Sequence, residues 1–284
     1  MHEEGSANFA AITINTWDQF AEIIFSQKER WIYRGQRDNW ALATSLERAL
    51  NNWSIDLTNG PALERQLVRD FRRRYRGEHH ARVEKDTLYC LALMQHHGAP
   101  TRLLDWTYSP FVAVKFAIES GSKQGIVYCL NALWCNQAVC RIIGEDAIVG
   151  RGTNGLRDDH TFGPIYIREQ NRQRFVLNEN PFHLNERLVI QQGIFMCPGD
   201  VGSSFVDNVK AMEGWELKEN ALKICFQLDD KSIRDFAKVL MRMNVDSAAL
   251  FPGLDGFSRS LGERIFLYED LARRRIGGPD HERP

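Results

Sequence analysis

No apolar run in this 284-residue sequence approaches the ~18 residues that a membrane-spanning helix requires, so it offers no candidate span. Gly-x-x-x-x-Gly-Lys-Ser/Thr and Gly-x-Ser-x-Gly are also missing, which removes the usual support for P-loop and hydrolase-elbow chemistry. The six cysteines contain no Cys-x-x-Cys pair, and His96 and His97 are neighbours that point about 100° apart on a helix. No metal site is therefore expected. Cys90, Cys129, Cys135, Cys140, Cys197 and Cys225 lie mostly in apolar stretches and read as reduced core thiols. Repeats, low-complexity tracts and long Gly/Ser/Pro linkers are absent, which makes one domain over 1–284 the simplest partition, with a disordered tail over 271–284. The acidic start "MHEEGSANFAAITINTW" has neither the basic beginning nor the apolar middle of a secretion signal. The expected location is the cytoplasm, with no membrane partner.

What is present is the makeup of a globular protein large enough to bury a core without disulfides. The net charge of −1 excludes bulk electrostatic capture of nucleic acid, but it conceals local clusters. Residues 16–27 read as a helix capped by Thr16, and 31–35 as a short strand ending at glycine. In 62–76, Leu63, Leu67, Phe71 and Tyr75 share one face, leaving Arg65, Arg69, Arg72, Arg73 and Arg76 mostly elsewhere. Helices are expected over 86–98, between Asp86 and Gly98, and over 109–120, with Ser109 as cap and Pro110 in the first turn. The segment between them, "QHHGAPTRLLDWTYSP", is an inter-helix loop on this reading. Strands follow at 125–132 and 222–228, 185–198 reads as strand, glycine turn and strand, and a helix is marked by Ile233 to Met243. The polar stretch 150–185 has no clear element, and 247–256 closes with Phe-Pro-Gly and Asp-Gly turns. The class is α+β.

Two segments carry polar chemistry. In "YRGQRDNW", the strand-end Arg34 offers a forked donor to a phosphate or carboxylate, and Gly35 lets a ligand approach the backbone; a scaffold pairing of Arg34 with a core acid is equally open. In the loop, His97, Arg102 and Asp105 converge on a cleft with Trp106 as a stacking surface. Alternatively, Arg102 and Asp105 pair within the turn and Trp106 is core. The arginines of 65–76 either follow a phosphate backbone through Arg69, Arg72 and Arg73 or form a solvated face, the commoner use of such a run.

"WIYRGQRDNWALATSLER", "QHHGAPTRLLDWTYSPFVAVKFA", "ERLVIQQGIFM" and "LFPGLDG", taken in order over about 31–256, resemble the FRG domain family, whose Phe-Arg-Gly stands here as Tyr33-Arg34-Gly35. That resemblance implies a bacterial defence or toxin setting and a macromolecular target, nucleic acid or protein, with a regulatory or antitoxin partner possible. Tyr33-Arg34-Gly35 also resembles the first motif of arginine-type ADP-ribosyltransferases, which implies a mixed or split β-sheet, NAD as substrate and no metal. On that resemblance Arg34 anchors NAD, with Tyr33, Gly35, Gln36, Arg102, Asp105, Trp106, Gln192 and Phe195 around the cofactor and Tyr33, Trp106 and Phe195 as its aromatic walls. His97 and Glu186 join Arg34 as the catalytic set. The chain has no Ser-Thr-Ser and no Glu-X-Glu, and its one Gln-X-Glu, Gln27-Lys28-Glu29, precedes Arg34. A non-catalytic nucleotide-sensing or nucleic-acid-binding module is the alternative.

Overall fold

The computed structural model describes residues 9–28, 30–145, 162–167, 172–180 and 186–269. Most of 150–185, the tail 271–284 and Glu29 of the Gln27-Lys28-Glu29 motif lie outside the described residues. Among the described residues the fold is α+β, built on a seven-stranded mixed sheet. In chain order the main elements are β1 (Ala10–Ile14), α1 (Trp17–Ser26), β2 (Trp31–Gln36), α2 (Ser45–Asn52), α3 (Gly60–Arg74), α4 (His80–Lys85), α5 (Thr87–His96), β3 (Leu104–Thr107) and α6 (Pro110–Ala117). They continue with β4 (Ile126–Asn131), α7 (Ala132–Ile143), β5 (Val176–Glu179), α8 (Glu186–Ile190), β6 (Gly193–Pro198), α9 (Phe205–Lys210) and β7 (Ala221–Phe226). Three helices close the order: α10 (Asp230–Arg242), α11 (Ser247–Leu250) and α12 (Leu254–Glu263). The strands are ordered β1-β7-β4-β2-β3-β6-β5, and only β1 and β7 run parallel.

Local chemistry sets several of these boundaries. Thr16 accepts from the Gln19 amide while the Gln19 side chain returns to the Thr16 amide, a reciprocal capping box. Asp86 and Ser109 cap α5 and α6 as their positions predict. The end of α5 is a Schellman turn. The Gly98 amide bonds the Gln95 carbonyl, the Ala99 amide bonds the Met94 carbonyl, and Gly98 has φ 82°. This reversal sends the chain back along the sheet, where Leu104–Thr107 becomes β3 against β6. The supposed loop therefore contains an internal strand. A second correction concerns 186–190, which is a short helix and not a strand.

Burial alternates along the strands and separates two cores. Ile32, Tyr128, Leu130, Leu104 and Trp106 face a larger core under α3, α5, α7 and α9. Trp31, Tyr33, Val127 and Cys129 face a smaller one with Phe20 of α1, Ala113 and Val114 of α6 and Phe236 of α10. All six cysteines are free thiols, four of them buried. Burial raises the Cys129 and Cys135 thiols far above the usual range, so both stay protonated. No described helix is long and apolar enough to cross a membrane.

Candidate functional site

The sheet is not continuously paired at its middle. Strand β2 bonds β4 along its whole length, Trp31 opposite Asn131 through Gln36 opposite Ile126, but meets β3 at one position, Tyr33 opposite Thr107. Beyond that position the two strands part, and a cleft of about 290 Å³ opens between them. Its lining comes from both sides of the sheet: Tyr33, Gly35, Val112 and Phe116 from the α6 side, Ala92, Gln95 and His96 from α5, and Asp105, Trp106 and Phe195 from β3 and β6. Arg34, Thr107, Arg187 and Gln191 add further polar groups.

Arg34 spans the opening. Its Nη1 donates to the Asp105 carbonyl at 2.6 Å and its Nε to Gln36 Oε1 at 3.3 Å. Burial in the cleft wall lowers its pKa from the ordinary arginine range, with the Asp105 carboxylate opposing and Arg48 reinforcing the fall. The guanidinium stays charged. Its neighbours thus return less than the cation lost on leaving water, and an anion placed beside it would recover the difference. Gln36 is itself buried, with its Nε2 donating to the Trp40 carbonyl at 2.8 Å, so it holds Arg34 from behind and lies outside the cleft lining.

Gly35 does something other than admit a ligand. A Cβ there would stand 1.8 Å from the Ala113 carbonyl oxygen and 2.9 Å from the Ala117 amide nitrogen. The missing side chain is what lets α6 rest on β2, which in turn brings Phe116 and Val112 into the cleft wall. Tyr33, on the same face, is buried with its hydroxyl donating to Gln27 Oε1, and burial raises its pKa well above the normal phenol range. Trp106 and Phe195 are buried walls, and the Trp106 Nε1 has no hydrogen-bond partner. The Asp105 carboxylate is exposed and accepts from Gln95 Nε2 at 2.8 Å.

Several expected site residues stand elsewhere. Arg102 is 1% exposed and grips Glu64, which is 2% exposed, through Nε at 2.7 Å and through Nη2. Its Nη1 donates to the Pro198 carbonyl at 3.1 Å, and its guanidinium lies over the Tyr166 ring. Every nitrogen is committed, so Arg102 is a strut and not a cofactor ligand. His97 is exposed beyond the last turn of α5, outside the lining. Its neighbour His96 lines the cleft, since one helical step turns the side chain by about 100°. Glu186 is exposed at the start of α8 and outside the lining, where Arg187 takes its place; the same one-residue shift brings Gln191 to the cleft instead of the exposed Gln192. Arg69, Arg72 and Arg73 line a separate groove on α3. Hydrogen bonding explains the Gln191 placement: Thr107 Oγ1 donates to its carbonyl at 2.6 Å, and its Nε2 donates to the Leu250 carbonyl at 3.1 Å. No group of three or more His, Cys, Asp or Glu suited to a metal occurs among the described residues.

Neither a curated protein nor a solved structure matches the chain. The FRG domain family model matches residues 29–125, a segment that carries Tyr33-Arg34-Gly35, α5, the Schellman turn, β3 and α6, and ends before the blocks around 186–196 and 251–256. The cleft residues Arg34 of β2 and Asp105 and Trp106 of β3 therefore all fall within the segment that is similar to the FRG domain family.

Proposed function

We propose that the cleft binds NAD through Arg34 and that the protein transfers ADP-ribose from it to a macromolecule, on a sheet split in the manner of arginine-type ADP-ribosyltransferases. The observation that carries this reading is Arg34 itself, an incompletely compensated cation at the point where β2 and β3 part, with Tyr33, Trp106, Phe116 and Phe195 around it. A cavity of about 290 Å³ sits at the small end of ligand sites, so it takes one ring with its ribose and neighbouring phosphate while the rest of the dinucleotide lies across the rim. Arg187 stands at that rim for the second phosphate.

In this reaction the C1′–N bond breaks, nicotinamide leaves with the electron pair as a neutral amide, and C1′ bonds to an oxygen or nitrogen of the acceptor. Positive charge builds on the ribose as the bond stretches, and Asp105, held by Gln95, supplies the opposing carboxylate. The acceptor's proton passes to His96, the imidazole among the lining residues. The FRG resemblance sets this activity in bacterial defence or toxin action, with a regulatory partner restraining it.

The test is nicotinamide release from NAD by the full chain, together with calorimetric titration of NAD. The expected result is release that disappears in R34A while circular dichroism stays unchanged. Absence of NAD binding overturns the proposal. A second reading, a nucleotide sensor without turnover, is favoured by the position of Glu186 outside the cleft, which leaves Asp105 as the carboxylate in the described lining. Tight NAD binding with no nicotinamide released would select it.

A further inference from the structure

The described residues hold a second concavity, about 1000 Å³, beside α3. One wall carries Arg65, Arg69, Arg72, Arg73 and Arg76. Positions 65, 69 and 72 advance by four and three residues, which sets them in one stripe along the helix, and Arg76 follows just beyond its end. At ~1.5 Å of rise per residue the helical part of the stripe is about 10 Å long, with a cation about every 5 Å. The adjoining face of α3 is already used, since Glu64 holds Arg102 and Val68, which also lines the groove, packs into the core.

The arginines divide into fixed and available members. Arg72 is structural, its Nε donating to the Val83 carbonyl and its Nη2 to Thr87 Oγ1, both at 2.9 Å, which braces α3 against α4 and α5. Arg69 is exposed and lies 3.9 Å from Asp70, a distance and setting at which an ion pair contributes little. Arg73 is exposed beside it. Opposite stand His80 and Glu84, the latter the one carboxylate among the described lining residues. Five guanidinium groups against one carboxylate make a positive field that the net charge of −1 hides.

Shape selects among polyanions. A nucleic-acid duplex receives protein elements into its own grooves, whereas a flexible single strand enters a positively charged groove on the protein and follows it. The spacing of the stripe suits successive phosphates of an extended strand. We infer that this groove binds the phosphate backbone of single-stranded nucleic acid, with Arg69, Arg73 and Arg76 as contacts and Arg72 as a brace. Helix α5 starts in the groove at Thr87 and reaches the cleft at Gln95, about 12 Å along its axis, so a bound strand comes within a few nucleotides of the cleft. Binding stands independently of the chemistry in the cleft; a role for the strand as ADP-ribose acceptor rests on that proposed reaction.

The experiment is fluorescence anisotropy of a short labelled oligouridylate with the full chain, without NAD, over a range of salt concentrations. The expected result is saturable binding that R69E/R73E weakens about tenfold or more, with the log–log salt dependence shallower by about 1.4, the value for two lost single-strand phosphate contacts. R69Q/R73Q should lose part of the affinity, and it replaces the reversal variant if the latter melts early. Nicotinamide release measured without a strand should be the same in wild type and variants, which separates failure here from failure of the cleft reaction. Unchanged affinity and salt slope in both variants would overturn the inference. So would binding of the matching duplex as tightly as the single strand.

Discussion

Arg34 and Arg102 both stand next to β3, the first bonding its Asp105 carbonyl and the second preceding it in the chain, and their surroundings differ. Arg102, just before the strand, has a carboxylate, a carbonyl and an aromatic face arranged around all its nitrogens. Burial lowers its pKa, but the Glu64 carboxylate outweighs that effect and the net movement is upward. Arg34 also suffers burial, yet receives only one carbonyl, one amide oxygen and a distant opposing charge, and its net movement is downward. A cation fully matched by its neighbours stabilises a fold, and one left short is suited to a ligand. Arg102 is fully and Arg34 partly buried near the centre of one sheet, and the degree of burial alone does not say which is scaffold and which is site. The balance of partners does.

The strongest way to break this comparison is R102M. It strands Glu64 as an unpaired buried charge and should cost about 3–5 kcal/mol in urea denaturation, whereas the double variant E64L/R102M should recover most of the loss. Next comes G35A, which pushes a methyl into the Ala113 carbonyl and forces α6 off β2. A loss of about 1–3 kcal/mol is expected, with NAD affinity falling because Phe116 moves with the helix. R34M should change stability by less than about 1.5 kcal/mol, the scale of one hydrogen bond, while NAD titration shows binding gone. Equal destabilisation by R34M and R102M would erase the distinction between them.

The smallest effect sharpens the comparison with a buried carboxylate paired to a half-exposed arginine. Asp246 accepts from Arg264 at 2.7 Å and from the Ala249 amide at 2.9 Å. Burial raises its pKa, but the Arg264 bond and the backbone amides prevail, and the carboxyl sits below its ordinary value. A depressed acid adds stability above its unfolded pKa and loses it as pH falls through the folded one. The stability of D246N measured against pH should therefore show a slightly shallower acid limb than wild type, with a constant deficit near neutral pH that closes as pH falls below both pKa values.

Features governed by neighbours in the chain were legible in the sequence. Thr16, Asp86 and Ser109 were recognisable as caps because a cap bonds the amide three residues on, and Gly98 as a helix stop because only a left-handed residue completes that turn. Arg34 was readable as a cation on a short strand, although that strand runs past Gly35 to Gln36 and leaves Arg34 inside it. Distance in the chain hid the rest. Strand β3 has four residues and owes its form to β6, some ninety positions later. The partner of Arg102 is an acid 38 residues upstream, embedded in the basic helix whose arginines draw attention away from it. At "ERLVI", the apolar residues suit a strand, but the Gln191 amide closes onto the Arg187 carbonyl and Leu188 folds over Gly193, which makes the segment one helical turn followed by a reversal. The offset between His96 and His97 shows the limit well: the residue type was informative, and the face was not.

The parallel pairing of β1 with β7 bears on how the protein is made. Ala10 lies opposite Leu222, so the two partners are separated by 212 positions of chain. At roughly 5–20 residues per second, a ribosome needs about 10–40 s to deliver the second after the first. Throughout that interval "AAITI" has no strand to join, and the flank of β4 that β7 will cover stays open. The nascent chain thus carries two unsatisfied strand edges until Phe226 has cleared the exit tunnel, a period in which a chaperone that shields extended segments would have most to do.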